Sequence, residues 1–78
     1  MTGDDTAPFP PDEFEYLVVA GRLAARIRRG EFSDGRFPGR PEVARHYGVG
    51  SGVVRHAWDE LKQRGLIYVV QGHGTFVA

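Results

Sequence analysis

The chain reads as a mainly α domain with a small β-hairpin, three helices followed by two short strands. Three observations predict it. Apolar residues recur at helical spacing in three separate stretches, and Gly30, Gly48 and Gly65 interrupt the pattern after each. Residues 66–77 then turn β-branched and aromatic around a Gln71-Gly72-His73-Gly74 tip.

The chain has 78 residues, enough for one domain. A chain this short buries only about 60 to 65% of its unfolded surface, so its core has little to spare. Cysteine is absent, which removes disulfides and thiolate metal ligands together and suits a reducing cytoplasm. No apolar run approaches the roughly 18 residues of a membrane span, and no basic segment followed by an apolar one opens the sequence. The expectation is a soluble, cytoplasmic protein.

Formal net charge is zero, but the charges are unevenly placed. Asp4, Asp5, Asp12, Glu13 and Glu15 put five acids and no base in the first 15 residues, leaving ten basic against five acidic groups from Tyr16 onward. A basic body with an acidic tail points to nucleic-acid contact. Solvated arginine faces are the bland alternative on charge alone.

Residues 1–12 hold three prolines and no apolar periodicity, so they are expected to form an acidic, Pro-rich flexible arm, with the folded domain over 13–78. The first helix starts near Glu13. Tyr16, Val19, Ala20, Leu23 and Ile27 make its apolar face, with Arg22, Arg26 and Arg29 outside that stripe. Arg28 and Arg29 complement the helix dipole, and Gly30 supplies a left-handed stop. Ser33-Asp34-Gly35 reads as a turn. A short second helix begins with Gly39 as N-cap, Pro41 in the first turn and Glu42 at the positive end, and turns Val43, Ala44 and Tyr47 inward. Gly48 ends it, and Val49 plugs the corner.

The third helix is predicted from Gly50 or Ser51 to Arg64. Val54, Ala57, Trp58 and Leu61 form a buried stripe, which leaves Ser51, Gly52, Arg55, His56, Asp59 and Lys62 outside. Leu66 to Val70 and Thr75 to Val77 make the hairpin. The run from Leu66 to Val70 lacks the alternation of a strand with one wet face, so another chain or the arm should cover it, with Phe9 and Phe14 as candidates.

Two helices joined by a tight glycine turn, the second polar outside and followed by a hairpin, make a winged helix-turn-helix. The B-DNA major groove is about 12 Å wide and admits one helix, and a glycine-tipped wing reaches the neighbouring minor groove or phosphates. The residues then resemble a known family. Ile27 to Phe32, Phe37-Pro38 with Glu42-Val43-Ala44, Tyr47-Gly48-Val49, Val54-Arg55-x-Ala57, Gly65-Leu66 and Gln71-Gly72-His73-Gly74-Thr75-Phe76-Val77 look like the N-terminal domain of GntR-type regulators. The resemblance covers about residues 13–78. It implies a transcription regulator, a repressor, that binds double-stranded DNA as a homodimer on a pseudo-palindromic operator.

Carried over residue by residue, the resemblance places Ser51, Gly52, Val53, Arg55 and His56 on the recognition surface and Gly72, His73 and Gly74 at the wing tip. Arg55 matches the family's arginine. Departures are equally specific. Pro41 stands where members usually have Arg, with Arg40 one place earlier as its substitute. Ser51 replaces a second arginine, Val53 a threonine, and Val69 and Val70 basic residues of the wing. Members normally append a C-terminal effector-binding or dimerisation domain, which is expected to be absent from this chain.

Other chemistry has weaker support. Trp58 sits in the apolar stripe, which favours core over base stacking. His46, His56 and His73 fall on different elements without close acid or thiol partners, so no metal or other cofactor is expected. Gly48-x-Gly50-x-Gly52 lacks the preceding strand of a dinucleotide loop. No nucleophile, base and pocket pattern supports an enzyme. The competing class is a winged-helix module that binds protein, favoured by Val69, Val70 and the missing arginines.

Overall fold

The computed structural model describes residues 8–9 and 14–78. Three helices, α1 (Glu15–Arg28), α2 (Arg40–Tyr47) and α3 (Ser51–Gln63), precede a two-stranded antiparallel hairpin of β1 (Ile67–Val70) and β2 (Gly74–Val77). Each helix begins and ends for a local reason. Gly39 and Gly50 cap α2 and α3 in extended conformation, and Gly48 ends α2 at φ +66°. Arg29 and Arg64 close α1 and α3, and Gly30 and Gly65 follow with φ of +82° and +74°. These are left-handed positions that glycine adopts without a Cβ clash.

Helices α1 and α2 both pack against α3. Val19, Ala20, Leu23 and Ala24 of α1 meet Val43 of α2 and Val54, Ala57, Trp58 and Leu61 of α3 in one core, joined by Phe37 and Ile67. All four residues expected to form the inner stripe of α3 are buried, Trp58 at 3% exposure. In α1 the buried stripe is shifted, because Ala24 enters it while Tyr16 and Ile27 stay half-buried at its ends. Among the described residues no helix is long and apolar enough to cross a membrane.

The hairpin pairs Ile67 with Val77 and Val70 with Gly74, so Gly74 belongs to the strand rather than to the turn. Its loop is closed by the His73 N–H donating to the Val70 carbonyl at 2.9 Å, with Gly72 at φ +81°. A glycine with positive φ at that third position of the turn is what a type II turn requires. One pairing is absent from the sequence reading. Arg36 bridges Phe76, with Val77 N–H donating to the Gly35 carbonyl at 2.8 Å and Phe37 N–H to the Thr75 carbonyl at 3.1 Å. The wing is therefore held along both edges of β2. Asp34 prepares this contact by accepting the Arg36 N–H at 3.1 Å, which fixes the turn before it.

Neither Phe9 nor Phe14, the two candidates for covering the hairpin, lies on it. Phe9 lies against α1 and α2, with the Arg22 guanidinium 4.6 Å from its ring centre and Tyr47 at 6.3 Å between centroids. Arg22 also donates to the Pro8 carbonyl at 3.3 Å. A cation over the ring face attracts Phe9, whereas Phe37 and Trp58 already fill the inner side of the wing. Phe14 is 71% exposed and meets Tyr16 instead. Tyr68, Val69 and Val70 stay exposed at 49, 51 and 37%. Asp4, Asp5, Asp12 and Glu13 of the acidic segment lie outside the described residues.

Candidate nucleic-acid interface

The interface is built on the face of α3 that the core leaves over. At about 100° per residue, burial of Val54, Ala57, Trp58 and Leu61 turns Gly52, Arg55, His56 and Asp59 outward. Ser51, Gly52, Arg55, His56 and Asp59 are all exposed. Val53 is half-buried and packs partly against the core, and it also lines the depression that Gly52, Arg55 and His56 border.

The wing is fastened to α3 by a side chain from its buried stripe. Trp58 Nε1 donates to Thr75 Oγ1 at 3.3 Å, and its ring takes the edge of Phe37 at 5.2 Å between centroids. Trp58 thereby fixes the wing's position relative to Arg55, three residues earlier on the helix. A cleft of about 190 Å³ opens between them, lined by Arg40, Arg55, Lys62, Val69 and Thr75, with Trp58 and Asp59. Arg40, first residue of α2, also borders the larger depression along the wing tip that Gly72, His73 and Gly74 line. The structure thus brings Arg40, Arg55 and the wing to one surface. His56 and Gly52 sit at its other end, beside Phe14 and Tyr16.

The sequence reading missed Tyr16 and Thr75. Tyr16 meets His56 edge-on at 5.2 Å between centroids, so the first turn of α1 steadies the outer face of α3. Its helical spacing announced it only as a core residue. Thr75 was visible as a strand and motif residue, but its bond to Trp58 was not, since that partner lies 17 residues away.

Most acids of the body are engaged by other partners, and Asp59, which lines the cleft, is paired with Lys62. Glu31 accepts from Arg29 at 2.6 Å and Arg26 at 2.8 Å. Those hydrogen bonds, Arg29's first and then Arg26's, hold the Glu31 carboxyl below its usual range. Arg26 is consequently not a solvated charge, since it also donates to Tyr47 Oη at 3.4 Å and lies over Phe32. Asp59 pairs with Lys62 at 3.6 Å and Glu60 with Arg64 at 2.9 Å. Glu42 Oε1 accepts the Gly39 N–H at 3.3 Å. Among the described residues, Arg40 and Arg55 are exposed and form no ion pair. The electrostatic result is a surface beside α3 and the wing on which Arg40 and Arg55 are left unpaired while Asp59 and Lys62 offset one another.

A helix pair joined by the Gly48 corner, with a hairpin docked on the second helix, defines a winged helix-turn-helix domain. The family model of the bacterial regulatory proteins of the gntR family matches residues 15–77, and the chain belongs to that family. It is 34% identical over 64 residues to the HTH-type transcriptional repressor NagR of Bacillus subtilis, covering 81% of this chain and 26% of that protein. It is 32% identical over 65 residues to the arabinose metabolism transcriptional repressor of Geobacillus stearothermophilus, covering 82% of this chain and 18% of the relative. The chain therefore spans about a quarter or less of the length of these relatives. Among solved structures, the AraR DNA-binding domain in complex with operator ORE1 matches with a TM-score of 0.79 at 31% identity, covering 91% of this chain and 90% of that one. A GntR family transcriptional regulator from Listeria monocytogenes matches with a TM-score of 0.82 at 22% identity, over 90% of this chain and 62% of that one, and shares the fold.

Proposed function

We propose that the chain is the DNA-reading domain of a transcriptional repressor and binds double-stranded DNA in a sequence-specific way. Helix α3 enters the major groove with Arg55 at the base edges, and Gly72, His73 and Gly74 reach the adjacent minor groove or its phosphates. Arg40 and Lys62 take the flanking backbone, which gives affinity and register rather than sequence. The carrying observation is the shared surface: Arg40, Arg55 and the wing border one cleft, with Arg40 and Arg55 unpaired among the described residues. AraR domains of the same shape have been crystallised on operators, which supports the reading. A homodimer on a pseudo-palindromic operator in the cytoplasm completes it, with half-sites about 10 bp apart or a multiple of that.

Selection of bound duplexes from a random library, followed by titration of the selected and a scrambled duplex at two salt concentrations, tests this. Tighter binding to the selected duplex, weakening as salt rises, is the expected result. Equal affinity for both duplexes overturns sequence-specific reading and leaves the exposed Tyr68, Val69 and Val70 to favour a protein partner.

A further inference from the structure

The glycines of the described residues sort by what the fold asks of them. Gly30, Gly35, Gly48, Gly65, Gly72 and Gly74 have positive φ, and Gly39 and Gly50 are helix N-caps. Gly21 and Gly52 remain, each inside a helix. A Cβ added at Gly52 meets nothing within 4 Å, and the same holds at Gly21. Neither φ nor space within the protein requires glycine at either place. Glycine inside a helix is nevertheless destabilising relative to alanine, because it leaves more backbone entropy to lose on folding.

The two positions differ in what lies around them. Gly21 is half-buried on α1 and lines none of the clefts that Arg40 and Arg55 border. Gly52 is exposed at the start of α3, one turn before Arg55 and His56 on the same outward face, and the three share one cleft. Helix α3 also gives up stability around Gly52 in other ways. Gly50 offers no side-chain cap, and the first turn carries no acid.

We infer that Gly52 is a specificity-determining position: the missing side chain sets how deeply α3 seats in the major groove, and so which base atoms Arg55 reaches. The inference rests on the DNA-reading function proposed above. An α-helix with its side chains is about 10–12 Å across and the groove about 12 Å wide, so clearance is small. A methyl group at the leading end of the inserted face, one turn before Arg55, holds that end of the helix out by a carbon's depth. A guanidinium that needs two aligned hydrogen bonds to a guanine edge loses that alignment. Contacts to phosphate tolerate the shift better, because they depend on charge more than on fixed geometry.

The test compares Gly52→Ala with Gly21→Ala and the unsubstituted chain, using a duplex selected by the unsubstituted chain and a scrambled duplex. Gly21→Ala is expected to raise the melting temperature by about 2 to 8 °C, and Gly52→Ala, in the first turn of α3, to raise it by less. Gly52→Ala alone weakens binding to the selected duplex, by about tenfold or more, as for loss of one good base contact. Binding to the scrambled duplex changes far less. A Gly52→Ala chain that is more stable and binds the selected duplex as tightly as before overturns the inference and leaves the DNA-reading function standing. A lowered melting temperature, or equal weakening on both duplexes, also overturns it, by making Gly52 a structural residue or a matter of general clearance. An unsubstituted chain that selects no duplex removes the proposed function and this inference with it.

Discussion

Helices α2 and α3 start from the same kind of residue in nearly the same conformation, Gly39 at φ −73° and ψ 158° and Gly50 at φ −77° and ψ 165°. Their first turns are furnished differently. In α2, Pro41 sits where no N–H is needed, and Glu42 reaches back to the Gly39 N–H at 3.3 Å. In α3 there is no side-chain cap and no acid, and Ser51 and Gly52 stand exposed. The helix that braces is finished for stability. The helix with the cationic outer face is left with open amide donors and little bulk, which suits close approach to a polyanion. A local stability defect next to arginines left unpaired among the described residues is thus informative about function, because packing gives no reason for it.

The largest effect is expected from removing what supports α3 from behind. Trp58→Ala deletes the ring between Phe37 and the core and the hydrogen bond to Thr75, and should cost about 3 to 5 kcal/mol in a urea titration. That is a large share of a small domain's stability. Binding should fall with it, since the wing loses its register on α3. Retained stability would mean that the inner face of α3 does not organise the interface.

Arg55→Ala isolates the outer face. It should lower affinity for a selected duplex by about 1 to 3 kcal/mol and relax preference at one base position, with the melting temperature unchanged because Arg55 makes no ion pair among the described residues. Loss of stability without loss of affinity would reverse the roles assigned to the two faces.

Exchanging the furnishings of the two first turns sharpens the contrast. Glu42→Ala should destabilise by about 0.5 to 1 kcal/mol through the lost cap. Ser51→Asp should stabilise by about 0.3 to 1 kcal/mol by placing an acid at the helix's positive end, while weakening DNA binding, since that acid would face phosphates. Thermal melts and binding titrations on both variants read the two signs. Unimpaired binding by Ser51→Asp would place the start of α3 away from the DNA.

The smallest effect concerns Glu31. Its folded pKa lies below the ordinary 4.5, so its contribution is complete above that value and is lost as pH falls through it towards the folded pKa. The Glu31 side chain is 38% exposed, and solvent screening keeps the contribution under about 1 kcal/mol. Melting temperatures of the unsubstituted chain and Glu31→Gln should differ slightly at pH 7 and converge in acid. A gap that persists at pH 3 would show that the carboxylate's charge is not what Arg26 and Arg29 hold in place.

Much of this was legible in the chain. Val54, Ala57, Trp58 and Leu61 lie on one helical stripe, so their burial and the outward turn of Arg55 follow from the 3.6-residue period alone. Helix ends were legible to within about two residues, because glycine and the helix caps act locally. Less legible were the positions where two elements compete for one side chain. Val53 falls between the inner and outer faces by period, and contact with the core drew it half inward. Phe9 belongs to no periodic pattern, so its partner was unguessable. Arg22 and Tyr47 claimed it, 13 residues and 38 residues further along.

By itself, the sequence determined the three helices, the hairpin, the inner and outer faces of α3 and the glycine stops, since each depends on residues within a few positions of one another. Only the tertiary structure decided that Arg36 pairs with Phe76, that Trp58 fastens the wing through Thr75, and that Arg40, Arg55 and Val69 border one cleft. These contacts join segments separated by 14 to 40 residues of chain. Their geometry is set by how helices and hairpin pack around a shared core, and a local pattern carries no record of that.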